Sequence, residues 1–313
     1  MKRTTDISLA AGHLKSGGLV AFATETVYGL GADATNDTAV AAIYQAKGRP
    51  QFNPLIVHVA TFEAAQKLGI FNQVAQKLAQ AFWPGPLTLV VPRMPDCPVS
   101  LLATAGLDSL AIRVPAHKQA HALLEQFDGP VVAPSANPSG TVSPTSIEHV
   151  ITGLEGKIDM VLDGGDCAVG VESTIVSCLD ETATILRHGG LARANIEATL
   201  GVTVADGQID SNNPTAPGQL KSHYAPRAKL RLNVVRPEKH EAFLEFGPCD
   251  TDPDLNLSPK GDLIEAAANL FRMLHKLDAQ GVEQIAVAPI PNYGLGEAIN
   301  DRLRRAATSR ETG

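Results

Sequence analysis

The sequence predicts an α/β protein with a mostly mixed, twisted sheet and helices on the faces of that sheet. Short runs rich in β-branched residues alternate along the chain with stretches of helical character. Several of these runs are nearly continuous in apolar residues, which is typical of strands covered on both faces by helices. A polar segment rich in Pro, Gly and Asn, residues 206–219, then separates a second, smaller α/β unit from the first.

The first elements are predicted from local patterns near the amino terminus. Residues 18–24 form an apolar run that favours a strand. Residues 38–47 favour a helix, and Asn36 or Asp37 would cap its first turn. Residues 54–60 return to the pattern of a strand.

The rest of the chain continues the alternation. Residues 61–82 are expected to hold one or two helices with a break near Gly69. In the smaller unit, a helix is predicted over residues 262–281 and another over residues 296–307, with strands in KLRLNVV and EQIAVAPI. The remaining strand candidates are GPLTLVVP, SLAIRVP, GPVVAPSA, DMVLDGG, ESTIVSC and ATILRHGG.

Composition excludes several classes of protein. The 313 residues are 44% hydrophobic and 19% charged, as in ordinary soluble proteins of one large or two smaller domains. The net charge of −7 argues against strong direct binding of nucleic acid, which usually needs an excess of basic residues. We see no apolar core of signal-peptide type and no stretch that could span a bilayer, so we expect a cytoplasmic protein without a membrane segment.

Known metal and nucleotide motifs are missing from the sequence. Cys97, Cys167, Cys178 and Cys249 are scattered, without the spacing of a zinc site or a disulfide framework, and are expected to be small buried hydrophobic residues. Neither the phosphate-binding loop nor the dinucleotide fingerprint is present. A nucleotide would therefore have to bind on a less common scaffold.

Polar residues interrupt strands that are otherwise apolar. Side-chain alternation in residues 54–60 places His58 on the same face as Ile56. Arg113 interrupts SLAIRVP, and the loop APSANPSG carries hydroxyl and amide groups. Lys47 and Arg49 precede the second strand and together suit a polyphosphate, since lysine supplies a point charge and arginine a planar two-pronged donor. Loops at strand ends are where α/β sheets bind ligands.

Each of these residues also has a structural explanation. A single histidine in a strand is usually a satisfied core residue, and a lone arginine such as Arg113 or Arg187 is more often an ion-pair partner than a ligand. Lys47 with Arg49 is equally consistent with capping the carboxyl end of the preceding helix. The functional interpretation rests on the combination of all these positions.

Seven blocks in order carry a resemblance to a known family: TETVYGLG, KGRPQFNPLIVHV, WPGPLTLV, LAIRVP, APSANPSG, ESTIV and LRHGG. From about residue 8 to 205 the chain resembles the YrdC-like threonylcarbamoyladenylate synthases. APGQLKSHYAPRAKL resembles the linker of their long form, which has an extra domain. The resemblance implies a YrdC-like catalytic domain over 1–206, a linker that acts as an active-site lid over 207–228, and a small Rossmann-like α/β domain over 229–313.

The resemblance also implies an activity. Members of this family are nucleotidyltransferases that combine L-threonine, bicarbonate or CO2, and ATP into L-threonylcarbamoyladenylate and pyrophosphate, with Mg²⁺ expected on the triphosphate. A tRNA threonylcarbamoyl-transfer complex would receive the product, for N6-threonylcarbamoyladenosine in tRNAs that read ANN codons. Two alternatives stay open: a carbamoyl transferase that forms carbamoyladenylate, and a non-catalytic RNA-binding module.

The family's site residues are carried over by position, and none is a metal ligand. The catalytic positions are Lys47, Arg49, Ser135 and Asn137. The positions for L-threonine are Thr26, His58, Arg113, the backbone at Ala133, and Ser173. The positions for ATP are Arg49, Asn53, Ser109, Ser135, Ser143, Arg187 and Tyr224.

The sequence departs from the family pattern in two places. Ser109 stands where threonine is common, a change that keeps the hydroxyl. In the linker, Ala216, Gln219 and Ser222 replace several usual residues, although Lys221 and His223 remain.

Overall fold

The structure, a computed structural model, describes residues 1–50, 53–208, 224–249 and 255–308. Its main feature is a mixed sheet with the strand order β1-β8-β2-β3-β7-β4-β6-β5-β9-β10-β11. These strands are β1 (Lys2–Thr4), β2 (Val20–Phe22), β3 (Gly29–Asp33), β4 (Ile56–His58), β5 (Leu87–Pro92), β6 (Ser109–Arg113), β7 (Val131–Val132), β8 (Met160–Leu162), β9 (Thr174–Ser177), β10 (Thr184–Arg187) and β11 (Ala205–Asp206).

Helices pack on this sheet and form hydrophobic clusters with it. They are α1 (Ile7–Lys15), α2 (Asp37–Lys47), α3 (Phe62–Gln66), α4 (Gln73–Phe82), α5 (Lys118–Phe127), α6 (Ile147–Leu154) and α7 (Arg193–Leu200). The largest cluster contains Ile43, Val57 and Leu89, whereas a second cluster joins Leu14 and Leu123. Burial of these apolar side chains is the main stabilising contribution.

The end of α2 fixes the position of the residues that follow it. Asn36 caps the helix by accepting hydrogen bonds from the backbone N–H groups of Thr38 and Ala39. Gly48 ends it in the left-handed conformation, with φ of 59°, which glycine adopts without steric cost. The chain reverses there, so Lys47 and Arg49 leave the helix end in a fixed geometry.

A second, three-stranded parallel sheet lies nearer the carboxyl terminus, in the order β12-β14-β13. Its elements are β12 (Lys229–Arg231), β13 (Ala242–Leu244), α8 (Leu263–Ala279), β14 (Gln284–Val287) and α9 (Gly296–Ala307).

The two units share a hydrophobic cluster. Val27, Val142 and Val171 from the larger unit pack in the same cluster as Leu270 and Phe271 of α8. At Gly170 the backbone passes so close to α8 that an added Cβ would lie 2.4 Å from Cα of Ala268. The smaller unit therefore docks tightly against the loops that connect the strands of the main sheet.

The predicted class, α/β with a twisted mixed sheet, is confirmed. Each strand and helix predicted from the sequence has its counterpart, and residues 61–82 form two helices. The patterns did not indicate α1, α5, α6, α7, β1, β3, β11 or β13. The strands β1 and β11 have only three and two residues, and β3 contains Gly29 and Gly31, residues that are depleted in strands.

The surroundings of the cysteines agree only in part with the expectation from the sequence. Cys97, Cys167 and Cys178 are buried as expected, but Cys249 is exposed, because the turn after β13 that carries it lies at the surface. Among the described helices, none has both the length and the apolar character that crossing a bilayer requires.

Candidate active site

A polar pocket lies where the carboxyl ends of the parallel strands β4 and β6 meet several connecting loops. Three buried arginines reach it from three different parts of the chain. Its free volume is about 50 Å³. The lining residues are Thr26, Val27, Arg49, Ile56, His58, Arg113, Ala133, Pro134, Ser135, Glu172, Ser173, Arg187 and Tyr224.

One side of the pocket is organised by Arg113, the last residue of β6. Its Nη2 donates to Oε1 of Glu25 at 2.6 Å, its Nη1 to Oγ1 of Thr26 at 2.9 Å, and its Nε to the carbonyl of Gly85 at 3.2 Å. Burial raises the pKa of Glu25, but the larger combined effect of Arg113 and the hydrogen bonds lowers the pKa below its usual value. The carboxylate is therefore ionised at neutral pH. This ion pair fixes the arginine fork beside Thr26.

His58, the last residue of β4, is paired in register with Arg113. The side chain is 2% exposed, and its Nδ1 lies 3.2 Å from the carbonyl of Ile56. Burial, with a smaller effect of Arg113, lowers the pKa of His58 from 6.5 to about 3. The imidazole is therefore neutral at physiological pH and supplies a hydrogen-bonding edge rather than a positive charge.

Arg49 reaches the pocket from the turn that follows α2. Its Nη2 donates to the carbonyl of Pro54 at 3.1 Å, and its Nε to the carbonyl of Asn53 at 3.4 Å. Burial lowers the pKa of Arg49 to about 10, which still leaves the guanidinium charged at neutral pH. Both carbonyl contacts hold the fork in place at the pocket wall.

Lys47 does not line the pocket. Its Nζ donates to the carbonyls of Ser135 and Asn137 at 2.5 and 2.6 Å. The amide Nδ2 of Asn137 in turn donates to the carbonyls of Thr141 and Val142. Burial and the neighbouring Arg49 lower the pKa of Lys47 well below its usual value. Lys47 and Asn137 thus brace the loop that places Ser135 in the pocket.

Arg187 and Ser173 form a further part of the wall. The Nε and Nη2 atoms of Arg187 donate to the carbonyl of Ser173, and Nη2 also donates to its Oγ at 3.1 Å. The same Oγ is 2.8 Å from Oγ1 of Thr88 in β5. Burial lowers the pKa of Arg187.

Glu172 is a buried carboxylate at the edge of the pocket. Its Oε1 accepts a hydrogen bond from Oγ of Ser143 at 2.5 Å, and its Oε2 accepts one from Nε of Arg302 at 2.7 Å. Burial raises the pKa of Glu172, whereas Arg302 and Arg187 lower it, and the net shift is downward. The carboxylate is therefore ionised and links Ser143 to the smaller unit.

Three of the expected ATP positions, Asn53, Ser109 and Ser143, are not among the residues that line the pocket. Asn53 is completely buried, and neither its Nδ2 nor its Oδ1 has a hydrogen-bond partner among the described residues. Ser109 begins β6, at the opposite end of the strand from Arg113. Both residues therefore lie toward the amino-terminal ends of β4 and β6, on the side away from Arg113 and His58.

Comparison with known proteins decides the family. Residues 13–189 match the Sua5, YciO and YrdC family model, described as "Telomere recombination", and residues 191–308 match the "Threonylcarbamoyl-AMP synthase, C-terminal domain" model. The chain is 41% identical to "Threonylcarbamoyl-AMP synthase" of Bacillus subtilis, over 97% of this chain and 93% of the relative. It is equally identical to the protein of that name from Pyrococcus abyssi, over 96% and 94%. This chain belongs to the threonylcarbamoyl-AMP synthase family.

A solved structure supports the same assignment. The crystal structure of P. abyssi Sua5 complexed with L-threonine superposes with a TM-score of 0.88 at 39% identity, over 97% of this chain and 96% of that one. The family, the enzyme class and the synthase function expected from the sequence are therefore confirmed.

For this synthase family member, the structure brings most of the expected site residues together. Nine of them line the pocket, and Lys47, Asn137 and Ser143 contact it through Ser135 or Glu172. The expectations for Ala216, Gln219, Lys221, Ser222 and His223 lie outside the described residues. No group of three or more His, Cys, Asp or Glu side chains within the described ranges is arranged to hold a metal ion.

Three charged residues of this site were missed by sequence reasoning: Glu25, Glu172 and Arg302. Glu25 and Glu172 lie inside the motifs TETVYGLG and ESTIV, where an acidic residue next to a buried run is a detectable signal. Arg302 lies in an amphipathic helix rich in charged residues, so no local pattern separates it from its exposed neighbours.

The depressed pKa of His58 predicts a loss of stability in acid. The unfolded chain binds a proton at His58 below pH 6.5, whereas the folded chain does so only near pH 3. The contribution of neutral His58 to the free energy of unfolding is therefore fully present above pH 6.5. It falls by about 1.4 kcal/mol per pH unit as the pH is lowered from 6.5 to about 3. Thermal unfolding from pH 7 to 4 should show a smaller loss for His58→Gln than for the unsubstituted chain. Parallel curves for the two proteins would contradict the assignment.

Proposed function

We propose that the pocket binds L-threonine and ATP side by side and joins them through a carboxylated amine. The observation that carries this proposal is the separation of the buried arginines. Arg113 lies with Thr26 and His58, whereas Arg49 reaches the pocket from the turn after α2 and Arg187 from the end of β10. An amino acid carboxylate and a polyphosphate each need a cationic partner, and the pocket supplies separate ones.

Threonine would occupy the side near Arg113. The arginine fork binds a carboxylate through two parallel hydrogen bonds. Thr26, neutral His58 and Ser173 present hydroxyl and imidazole groups to the hydroxyl of the substrate. The neutrality of His58 matters here, because a charged imidazole would repel the ammonium form of threonine.

ATP would occupy the side near Arg49, with its phosphates against the loop that Lys47 and Asn137 brace. Ser135 presents its hydroxyl from that loop, and Arg187 adds a second cation. Asn53, which precedes β4, and Ser109, which begins β6, are assigned to the nucleoside. The unpartnered amide of Asn53 supports this, since a buried polar group normally has a partner.

The chemistry requires positioning and charge neutralisation more than a protein nucleophile. The unprotonated threonine amine adds to CO2 and releases one proton to solvent. The resulting N-carboxylate attacks the α-phosphorus of ATP, and the bond from this phosphorus to the pyrophosphate oxygen breaks. Arg49 and Arg187 would stabilise the negative charge on the departing pyrophosphate. Mg²⁺ would arrive with the triphosphate, since it commonly bridges phosphate oxygens with few protein ligands.

The site also needs to open. Small-molecule pockets usually measure about 300–1,000 Å³, whereas this one has about 50 Å³ with Tyr224 buried in its wall. Tyr224 follows directly after residues 209–223, which are outside the described ranges. We assign residues 207–228 as a linker that moves to admit ATP and closes over it, between a catalytic domain over 1–206 and a second domain over 229–313.

The product is a reactive mixed anhydride, so a closed pocket protects it from water until transfer. We place its use in tRNA modification in the cytoplasm, with a tRNA threonylcarbamoyl-transfer complex as recipient. The confirmed family membership supports this placement.

Pyrophosphate release tests the proposal directly. Release should require ATP, bicarbonate and L-threonine together. Valine should replace threonine poorly, by about 10⁴-fold or more in kcat/KM, because a site built to hydrogen-bond a hydroxyl rejects an analogue that lacks it. Equal rates with valine and threonine would contradict the threonine site. Release without any amino acid would contradict the proposed reaction.

A further inference from the structure

Arg302 of α9 is the most completely buried charged residue at the contact between the two units. Its side chain is 0% exposed, although it belongs to the smaller unit rather than to the pocket wall. Nε donates to Oε2 of Glu172 at 2.7 Å, and Nη1 donates to Oδ2 of Asp301 at 2.8 Å. A buried cation of this kind is retained only when its contacts offset the loss of hydration.

Arg302 also supports Tyr224. Its guanidinium carbon lies 5.0 Å from the centroid of the tyrosine ring, in the range of a cation–π contact. Phe271 of α8 stacks on the same tyrosine, with ring centroids 5.8 Å apart and an angle of 27° between the planes. The conformation of Tyr224 is unfavourable by itself, since its φ of 62° lies in the left-handed region, which non-glycine residues rarely adopt. Its neighbours must therefore hold it there.

Two ATP positions thus depend on this one arginine. Through Glu172, Arg302 fixes the carboxylate that accepts the hydrogen bond of Ser143. Through its planar face, it fixes the ring of Tyr224. Arg113, on the threonine side of the pocket, has a separate set of supports, Glu25 and the carbonyl of Gly85.

We propose that Arg302 is a positioning residue for ATP, through which the smaller unit completes the nucleotide half of the active site. The identity of the nucleotide as ATP rests on the proposed function. The role of Arg302 adds to that function, because it gives the smaller unit a defined part in the reaction. Asp301 orients Arg302 from the preceding position in α9, and Phe271 limits the movement of Tyr224 by stacking against its ring.

Arg302→Met keeps an unbranched apolar side chain in place of the methylene stem of the arginine but removes the charged guanidinium. The KM for ATP should rise by about tenfold or more, as for other residues coupled in one buried network, while the KM for threonine changes less than about twofold. A merely structural role would lower the thermal midpoint but would not separate the two KM values. Arg302→Lys keeps the charge near Glu172 and should recover part of the ATP effect, because an ammonium cannot bond Glu172 and Asp301 while covering the ring.

Arg305→Met is the matched control. Arg305 lies one turn from Asp301 in the same helix and pairs with it, with Nε 3.0 Å from Oδ1, whereas Glu172 and Tyr224 are contacted by Arg302. This variant should keep the KM for ATP close to that of the unsubstituted chain. A double variant, Arg302→Met with Glu172→Gln, should lose no more ATP affinity than the larger of its single changes, because both remove the same contact.

The experiment measures KM values by pyrophosphate release and ATP affinity by titration calorimetry on full-length proteins, with thermal midpoints for all variants. An unchanged affinity and KM for ATP in folded Arg302→Met would overturn the proposal, as would equal increases for ATP and threonine. If Arg302→Met does not fold, the comparison is made with Arg302→Lys, for which wild-type ATP affinity would overturn the proposal equally. If the unsubstituted chain binds ATP but releases no threonine-dependent pyrophosphate, the proposed reaction fails, and the calorimetric comparison still decides the part of Arg302.

Discussion

Replacing Arg49 by alanine is expected to abolish nearly all pyrophosphate release while the protein stays folded. The side chain is buried at the pocket wall, and its guanidinium is held by the carbonyls of Asn53 and Pro54. Removing one preorganised donor from a site where charge develops typically costs about 10²–10³-fold in rate. Lysine at this position should restore little, because a point charge cannot replace the planar fork.

Arg93→Ala is a suitable comparison for this variant. Arg93 also donates from Nη2 to two backbone carbonyls, those of Cys97 and Val99, but it does not line the pocket. It should cost stability and leave pyrophosphate release per folded molecule nearly unchanged. Near-normal turnover by folded Arg49→Ala would show that the phosphates bind elsewhere.

Arg113→Gln is expected to lose both stability and threonine binding. The change leaves the buried Glu25 carboxylate without its cation, and breaking a buried ion pair typically costs about 3–5 kcal/mol. It also removes the two-pronged donor that we assign to the substrate carboxylate. Denaturant unfolding would report the first effect, and the KM for threonine would report the second.

A second substitution separates the two effects of Arg113. Arg113→Gln with Glu25→Gln removes both charges, so that no uncompensated carboxylate remains. Stability should recover, but the KM for threonine should stay raised. Normal threonine binding by the double variant would show that Arg113 serves only to neutralise Glu25. That result would favour the alternative left open by the sequence, in which the arginine is only an ion-pair partner.

Local patterns located most of the described strands, though not β1, β3, β11 or β13, and the polar positions on them. Alternation along β4 placed His58 with Ile56, and the structure shows both lining the pocket. Asn36 was one of two proposed caps for α2, and it is the one that caps the helix. These predictions succeeded because each depends on residues that are close in sequence, where backbone geometry alone sets the direction of the side chains.

Predictions about the action of individual side chains depended on the fold. Lys47 and Arg49 are adjacent in the sequence motif, but only Arg49 reaches the pocket, whereas Lys47 braces the loop around Ser135. Nothing in the spacing of the two residues distinguishes these roles. The difference arises because Gly48 reverses the chain between them.

By itself, the sequence determined the fold class, the positions of the strands and helices that it predicted, and the family to which the chain belongs. Only the tertiary structure decided which charges meet: Arg113 with Glu25, 88 residues apart, and Arg302 with Glu172, 130 residues apart. No periodicity connects such positions, and their partners are fixed by how the strands order in the sheet and how the smaller unit docks on it. A buried charge requires a partner of opposite charge. A sequence can therefore show that a charged residue next to a buried run needs such a partner, but it cannot show which residue the fold supplies.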